Sequence, residues 1–551
     1  MGLIERRTNW FVVLLLILLF AQTYLSAIQK SISNDELTYI ASGYSYIKTG
    51  DLRMNPDHPN LIKLLGGLPL LLLNPVLPLD HYTWTESLNN PKRANFNQWE
   101  FGAQFLYGYN TDADKIILFS RIPMMFLSVL FGFYVFKFAK ELYGKKAGLF
   151  ALFLYSFSPN MLAHSRFVTT DLIAGFALIS LYYLWVFLHN PTMKNSILLG
   201  LLLGLTFATK STAIYLIPPF VVITIGFLIK NKFYRKKVDS YNLISYFVII
   251  IFLTYFVFLG TYFFKDINSD YATEYFLETT GIDNSVISTA INIFPIPAPF
   301  LIGFADVIRD SDIGRPSFLM GLFSVKGRWY YYPIALLIKT PVAMIIFFVL
   351  SLIFFRKIRN YNLFDELLLI LPALFFAYMF ITSNWNIGLR HILPIYPPLF
   401  VFVSKLINYK KLQWLIVLLS LWYVISSLLI FPHYLSYFNE LVGGSDNGHN
   451  YLIDSNLDWG QDLKVLKKWI DDNDVDFINL AYWGKDNPVY RNINYELLEC
   501  QEPKTGLIAV SVNYLIGFSE NWAECMEWLR ESDNQPIDKS GYSIFIYNIT
   551  S

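Results

Sequence analysis

Acidic residues lie next to an apolar segment near the start of the chain, where a charged side chain is costly and usually has a function. The stretch SNDELTY, residues 33–39, places Asp35 and Glu36 a few residues after the run WFVVLLLILLFAQTYLSAI. Successive side chains on a helix project about 100° apart, so the two carboxylates should point in different directions. One can then face a cleft and deprotonate an acceptor hydroxyl while the other braces the structure. The pattern SND followed by Glu is also typical of a helix start.

Other ionisable residues occupy comparable positions, at or near the predicted outer ends of apolar segments. The whole set consists of Asp35, Glu36, Asp57, His58, Arg166, Asp171, Lys210, Lys339, Arg390 and His391. Proton relays and ion pathways distribute charges across the depth of the membrane. Charges gathered at one surface favour an active site at the outer leaflet over a conduit.

The basic members of this set are suited to holding a phosphate. Arg390, in NIGLRHILPIYPP, offers a planar fork for bidentate contacts, and Lys210 and Lys339 offer point charges. His391 follows Arg390 directly. The alternative is that these cations extend to lipid headgroups.

Two loop motifs supply the remaining candidates. In NPDHPNLIK, each proline favours an extended conformation for the residue before it, so His58 should be held in a rigid turn next to Asp57. A simple turn ahead of an interfacial helix would have the same pattern. In RFVTTD, Arg166 and Asp171 share one short outer loop, where they could serve the reaction or pair with each other.

The composition indicates a polytopic membrane protein. Of the 551 residues, 54% are hydrophobic and 15% are charged, whereas soluble domains carry about 25% charged residues. A net charge of +1 gives no reason to expect nucleic acid as a partner. Cys500 and Cys525 are too few for a disulfide scaffold or a thiolate metal cluster, and they could pair in an oxidising exterior or remain free.

About eleven membrane-spanning helices are predicted from the apolar runs, since a helix needs about 20 residues to cross the hydrocarbon. They lie near residues 10–28, 116–136, 147–164, 171–189, 196–210, 211–229, 242–264, 333–355, 366–382, 391–405 and 412–431. Alternate loops hold 18 of the 43 basic residues. By the positive-inside rule, the N-terminus is then cytoplasmic and the C-terminus extracytoplasmic.

The predicted fold is a polytopic α-helical membrane domain, residues 1–431, followed by a small extracytoplasmic α/β domain, residues 432–551. Long outer loops are expected at residues 29–115 and 265–332. In the second domain, DWGQDLKVLKKWI and NWAECMEWLRES predict helices, and DFINLAYW, GLIAVSV and YSIFIYN predict strands. Alternating elements of this kind indicate an open α/β layer.

Motifs distributed over most of the chain resemble the polyprenyl-phosphate-sugar-dependent membrane glycosyltransferases of the GT-C class. They are NDELTYIASGYSYIKTGDLRMNPDHPNLIKLLGGLPLLL, HSRFVTTDLIAGF, GLTFATKSTAIYLIP, GRWYYYPIALLIKTP, GLRHILPIYPPLFVF and DSNLDWGQDLKVLKKWI. The chain looks like a bacterial or archaeal branch of the protein O-mannosyltransferases, glycosyltransferase family 39. Asn60 stands where the family usually repeats proline, and the C-terminal region differs from the β-trefoil of eukaryotic members.

The resemblance implies a GT-C-like fold and an inverting transfer of a sugar from a polyprenyl or dolichyl monophosphate. The sugar would be mannose or a similar hexose or pentose, and the acceptor a protein, lipid or glycan on the outer face. The resemblance also implies that Asp35 is the general base and that Glu36 supports it. It implies that the donor phosphate lies near Arg390, Lys210, His58, His391 and Lys339, with Asp57, Asp171 and Arg166 behind them or at the acceptor.

No cofactor is expected to be required, and the expected location is the plasma membrane. The outer acids Asp35, Asp57 and Asp171 could nevertheless hold a divalent cation such as magnesium or manganese with oxygen ligands. The main alternative function is a transporter or flippase of lipid-linked sugars. A scaffold without catalysis and an enzyme that transfers a whole oligosaccharide from a diphosphate carrier are further alternatives.

Overall fold

The computed structural model of the protein describes residues 3–89, 91–230, 240–282, 284–358, 363–530 and 535–550. Long apolar runs fold as helices because a helix satisfies its backbone polar groups internally where water is absent. The helices of the first half are α1 (Leu3–Ile28), α2 (Asn34–Thr49), α3 (Leu61–Gly67), α4 (Tyr82–Asn89), α5 (Pro91–Ala103), α6 (Ala113–Tyr143), α7 (Lys145–Ser156), α8 (Pro159–His164), α9 (Ile173–His189), α10 (Met193–Phe207), α11 (Ile217–Lys230) and α12 (Ser240–Gly260).

The second half continues with helices, a short hairpin and the C-terminal sheet region. Its helices are α13 (Asp270–Thr280), α14 (Asn284–Ile293), α15 (Ala298–Ile313), α16 (Tyr331–Lys339), α17 (Val342–Ile353), α18 (Leu363–Ile381), α19 (Tyr396–Ser404), α20 (Gln413–Leu429), α21 (Leu463–Asp472), α22 (Val512–Ile516), α23 (Glu520–Ala523) and α24 (Glu527–Arg530). Its strands are β1 (Ser317–Leu319), β2 (Leu322–Ser324), β3 (Ile478–Ala481), β4 (Tyr495–Leu497), β5 (Gly506–Ser511), β6 (Asp538–Ser540) and β7 (Ile544–Ile549).

The prediction of a multi-pass helical membrane protein is confirmed. Among the described residues, seven helices are long and apolar enough to cross a membrane, or eight if α16 and α17 together form one span. The runs predicted at 147–164, 196–210 and 391–405 overlap the shorter helices α7, α10 and α19. The number eleven therefore stays a prediction.

The predicted span 333–355 is broken in the middle. Helices α16 and α17 meet at an angle of 110°. Pro341 cannot donate a backbone hydrogen bond, and Thr340 before it is extended, with φ −96° and ψ 132°. The chain therefore leaves α16 at Lys339 and starts a new helix after the proline.

Helices α2 and α3 pack closely enough to fix the positions of the acidic pair and of the loop that carries His58. A Cβ atom on Gly43 would lie 1.9 Å from the carbonyl oxygen of Lys63, and one on Gly67 would lie 2.5 Å from the carbonyl carbon of Gly43. Helix α2 starts where the Ser33 N–H donates to the Glu36 carboxylate over 2.9 Å. Because α3 begins directly after the His58 loop, this contact holds that loop against α2.

A mixed five-stranded sheet, in the order β4-β3-β5-β7-β6, forms the C-terminal region within the described residues. Strand β3 is parallel to β4 and β5, and β7 is antiparallel to β5 and β6. The strands predicted in DFINLAYW, GLIAVSV and YSIFIYN correspond to β3, β5 and β7. The prediction of a small C-terminal sheet domain is confirmed, and β4 and β6 are additions to it.

The two faces of this sheet contact different hydrophobic cores. Ile544 and Ile546 pack in a small core with helix α21, whereas Phe545 and Tyr547 belong to the large core shared with the membrane helices. Successive strand residues point to opposite faces, so one strand serves both cores. The C-terminal region thus packs directly on the helical part, and Cys500 and Cys525 form a disulfide within it.

Candidate active site

A cleft of about 960 Å³, hereafter the outer cleft, lies between the start of α2, the loop before α3, helix α15 and segments that follow α18 and β3. Of the predicted residues, Asp35, Asp57, His58 and Arg390 line it. Asp454, in a loop before α21, lines it as well. Residues from distant parts of the chain therefore meet in one cavity.

Asp35 and Arg390 form an ion pair inside the outer cleft. The Nη1 atom of Arg390 donates to Oδ2 of Asp35 over 2.9 Å, and the guanidinium lies 4.3 Å from the ring centre of Trp459. The Asp35 side chain is 24% exposed and the Arg390 side chain 11%, so a ligand can reach both. The Nε atom of Arg390 is buried without a hydrogen-bond partner among the described residues. The guanidinium thus keeps donor capacity for an anion.

The position of Arg390 is set by a buried asparagine that the sequence analysis did not single out. The Leu389 N–H donates to Oδ1 of Asn456 over 2.9 Å. Asn456 in turn donates to the hydroxyl of Tyr331, at the start of α16, over 3.0 Å. Because this amide is itself fixed at both ends, the backbone next to Arg390 is held in place.

Lys210 and Asp171 form a buried ion pair whose members do not line the outer cleft. Nζ of Lys210 lies 3.3 Å from Oδ1 of Asp171, and Nδ1 of His164 lies 3.0 Å from Oδ2 of the same carboxylate. All three residues are buried. Asp171 therefore pairs with Lys210 and His164, and the suggested pairing of Asp171 with Arg166 is wrong.

The two predicted histidines differ in their access to the cleft. His58 lines it, and its buried Nδ1 has no hydrogen-bond partner among the described residues. Burial and the charges of Lys210 and Lys63 hold the pKa of His58 well below its usual range. The ring is therefore neutral at pH 7 and can bind an anion only as a hydrogen-bond donor. His391 is not among the cleft residues, and its ring lies 5.7 Å from that of Phe380.

Glu36 faces away from the outer cleft and braces the structure, as the 100° spacing from Asp35 allows. Its carboxylate accepts from Nε and Nη2 of Arg121 over 2.8 and 2.7 Å and from the Val168 N–H over 3.0 Å. Arg121 was missed, although an arginine inside the apolar helix α6 is a recognisable signal. Arg166 is also buried, and its guanidinium lies 4.3 Å from the ring centre of Phe167. Glu36 is therefore a structural support and not a catalytic residue, which agrees with the supporting part expected for it.

The prediction of Lys339 as a phosphate ligand is also corrected. Its ammonium is buried at the end of α16 and donates to the carbonyl oxygens of Leu435 and Asn456 over 2.7 and 2.5 Å. It lies 4.4 Å from the ring centre of Phe438 and is not among the residues of the outer cleft. Lys339 thus joins the membrane helices to the segment that leads into the sheet.

We expect Lys339→Met to lower the melting temperature in detergent with little change in the KM for a lipid-phosphate donor. Two buried carbonyl groups lose their donor, and each unsatisfied group costs about 1–3 kcal/mol. The matched control is Lys504→Met, because Lys504 pairs with the exposed Glu496. A large rise in the donor KM at an unchanged melting temperature would show instead that Lys339 binds the donor phosphate.

The acids do not assemble a metal site among the described residues. No group of three or more His, Cys, Asp or Glu side chains there is placed to hold a metal ion. Asp57 lies in the outer cleft, where burial raises its pKa and the charge on Asp306 adds to the rise against the opposing effect of Lys63. Asp171 is engaged by Lys210. The cation considered for Asp35, Asp57 and Asp171 thus stays a prediction.

Asp454 is a second carboxylate beside Arg390 that the sequence analysis missed. Its backbone is left-handed, with φ +58°, and the Asp454 N–H donates to Oδ1 of Asn513 over 2.8 Å. Burial raises the pKa of Asp454 to about 6, against the opposing charge of Arg390. Asp35, Arg315 and Tyr331 are the other titratable groups that interact with it. Its charge therefore changes near neutral pH.

We expect the KM for a phosphodiester donor to rise severalfold between pH 5 and pH 7. Above its pKa, Asp454 adds a negative charge next to Arg390, whereas the charge of the phosphodiester is constant. Because the folded-state pKa is raised, ionisation of Asp454 also lowers the free energy of unfolding as the pH rises from about 4 to 6. Asp454→Asn should flatten the KM profile, and an unchanged profile in this variant would contradict the assignment.

Comparison with known proteins gives a match to one family model over part of the chain. Residues 115–260 match the family model described as dolichyl-phosphate-mannose-protein mannosyltransferase. The predicted resemblance to the membrane glycosyltransferases is confirmed. The expectation that the chain is a glycosyltransferase agrees with this match, which spans the segment from α6 to α12.

Two solved structures show distant similarity in overall shape. ArnT from Cupriavidus metallidurans, bound to undecaprenyl phosphate, aligns over 98% of both chains at 10% identity with a TM-score of 0.47. The oligosaccharyltransferase AglB from Archaeoglobus fulgidus, in complex with an inhibitory peptide and a dolichol-phosphate, aligns over 84% of this chain and 58% of its own at 13% identity with a TM-score of 0.45. No curated protein sequence matches the chain.

Proposed function

We propose that the protein transfers one sugar from a polyprenyl or dolichyl monophosphate to an acceptor hydroxyl at the extracytoplasmic face of the plasma membrane. The observation that carries the proposal is the accessible Asp35–Arg390 pair in the outer cleft. A carboxylate and a guanidinium in contact supply a base for the acceptor and a phosphate ligand for the donor. The family match supports the same reaction.

Arg390 is the proposed ligand of the donor phosphate. Its fork suits two phosphate oxygens, and its free Nε and cleft-facing position leave room for them. Fixed cations of this kind stabilise the charge that develops on a leaving phosphate. His58 can add a neutral hydrogen bond from the same cleft, while Lys210 adds positive charge from behind it.

Asp35 is the proposed general base. The acceptor oxygen attacks the anomeric carbon as its proton passes to a carboxylate oxygen of Asp35. The bond between the anomeric carbon and the phosphate oxygen breaks with inversion, and the lipid phosphate leaves as an anion held by Arg390. In the resting structure Asp35 is occupied by Arg390, so the arriving phosphate would free the base by taking over the guanidinium.

The experiment is sugar transfer from radiolabelled polyprenyl-phosphate-mannose to a membrane extract, using purified protein with and without chelator. Wild type, Asp35→Asn and Asp80→Asn are compared. Asp80 is a matched control because its carboxylate is exposed and accepts from Tyr109 over 2.8 Å. Transfer that disappears only in Asp35→Asn and survives chelation supports a metal-independent transferase. Equal transfer in all three proteins would remove Asp35 from its role, and movement of intact donor across vesicles without transfer would favour a flippase.

A further inference from the structure

Four aromatic side chains from the C-terminal region form a wall, hereafter the aromatic wall, at the outer cleft: Trp483, Tyr514, Phe518 and Trp522. The ring centre of Trp483 lies 4.6 Å from Phe518, 5.3 Å from Tyr514 and 6.3 Å from Trp522. Trp483, Phe518 and Trp522 line the same cavity as Asp35 and Arg390. The reaction as proposed above does not use these rings.

The fold holds the aromatic wall in a fixed position. Trp483 follows β3, and its backbone N–H donates to the hydroxyl of Ser511, at the end of β5, over 3.1 Å. Gly517, with φ +83°, makes the turn between α22 and α23, where a Cβ atom would lie 2.4 Å from the backbone nitrogen of Ala523. Cys525 is joined by its disulfide to Cys500, so the segment that bears Trp522 is tethered to the sheet region.

The wall nevertheless keeps ring surface open. Trp522 is 46% exposed, and it also lines a neighbouring cavity of about 480 Å³ with Tyr514. Trp483 and Phe518 are only partly buried, so together with Trp522 they offer a ligand a shared apolar surface in the outer cleft. The open surface therefore has the character of a binding site.

A row of charged side chains accompanies the wall in the outer cleft. Nη1 of Arg309 lies 2.7 Å from Asp306, Nη2 of Arg309 lies 3.1 Å from Asp310, and Arg315 also pairs with Asp310. All four residues line the cleft. An acyl chain in this space would desolvate these charges without offering them partners. A pyranose ring has an apolar C–H face for an indole and hydroxyl groups for carboxylates and guanidinium groups.

We propose that the aromatic wall is the acceptor subsite and that it binds a saccharide, so that the acceptor is a glycan or a glycan-bearing molecule. The proposal rests on the proposed function, because only a transferase has an acceptor. Binding of a saccharide to the wall can nevertheless be measured without any sugar transfer. The wall and Asp35 share one cavity, so a sugar stacked on Trp483 or Trp522 can present a further hydroxyl toward Asp35.

The test is binding of soluble manno-, gluco- and galacto-oligosaccharides to full-length protein in detergent, followed by calorimetry and tryptophan fluorescence. Wild type, Trp483→Ala, Trp522→Ala and Trp522→Phe are compared with Trp469→Ala. Trp469 is the control because it lies on α21, outside the cleft residues, with its indole N–H donating to Asp538 over 2.8 Å. Two further measurements show whether each variant is folded: its melting temperature and its Kd for polyprenyl phosphate. The latter ligand does not need the aromatic wall.

At least one oligosaccharide should bind wild type and Trp469→Ala, with affinity reduced about tenfold in each alanine variant. Trp522→Phe should retain most of the affinity, and the Kd for polyprenyl phosphate should be unchanged throughout. No oligosaccharide binding to wild type, or equal binding to every variant, would overturn the proposal. Saccharide binding that depends on the wall, in a protein that transfers no sugar from any lipid phosphate, would support the subsite and contradict the proposed function.

Discussion

Asp35→Asn is expected to abolish sugar transfer and, at the same time, to tighten the binding of a lipid phosphate. The amide cannot accept the proton of the acceptor hydroxyl, and loss of a general base lowers kcat by about 10²–10⁴-fold. In the resting structure the Asp35 carboxylate occupies Arg390 over 2.9 Å, so a phosphate has to displace it. Without that competing charge, we expect the Kd for polyprenyl phosphate to fall by about tenfold, which corresponds to roughly 1.4 kcal/mol.

The measurements are kcat for transfer and the Kd for polyprenyl phosphate by competition, in detergent at constant salt. Arg390→Lys is the companion variant, because it keeps one charge but loses the planar fork. It should raise the donor KM and weaken phosphate binding, the opposite of the effect of Asp35→Asn on affinity. If Asp35→Asn weakened phosphate binding, or kept kcat near that of wild type, the exchange of partners at Arg390 would be disproved.

Glu36→Ala is expected to lower the free energy of unfolding by about 3–5 kcal/mol, because it leaves the Arg121 guanidinium buried without its counter-charge. Glu36 and Arg121 are both at most 1% exposed. Arg121 also donates to the carbonyl oxygens of Ala27, Lys30 and Ser31. One ion pair thus fixes the end of α1, the start of α2 and helix α6, which together aim Asp35 into the cleft.

Unfolding in detergent, followed by temperature or denaturant, measures the effect. The control is Glu496→Ala, which breaks a pair at the surface where the Glu496 side chain is 61% exposed and should change stability by less than about 1 kcal/mol. The double variant Glu36→Leu with Arg121→Met should recover part of the loss, because it removes both buried charges. A loss below that of Glu496→Ala in the single variant would show that the pair does not hold these helices.

The sequence predicted side-chain directions correctly where the periodicity of a single helix determines them. Asp35 and Glu36 face different surroundings because adjacent positions on α2 point about 100° apart. The strands β3, β5 and β7 likewise follow from local composition, because each lies in a short run rich in apolar and β-branched residues. Pro341, by contrast, broke a span that hydropathy alone had predicted as continuous, because hydropathy does not register a missing N–H.

Contacts between distant segments decided the rest. Arg390 and Lys339 look alike from the sequence, but Arg390 enters the cleft and Lys339 donates to carbonyl groups of the segment before the sheet. Asp454 lies beside Arg390 through a left-handed turn, and the aromatic wall forms only when the ends of β3 and β5 meet. None of these contacts could be predicted from a pattern of neighbouring residues in the sequence.

The sequence by itself determined that this is a helical membrane protein with a small sheet region. It also showed that most ionisable residues lie near the ends of the spans and that several motifs resemble those of membrane glycosyltransferases. Those features depend on hydropathy, spacing and residue type, which are local. Only the tertiary structure decided which charges meet in the outer cleft and which brace the helices. The physical reason is that a charge acts as a base, a ligand or a brace according to its partners and its burial in the fold. Those partners come from other segments of the chain, 355 positions away for Asp35 and Arg390 and 85 for Glu36 and Arg121.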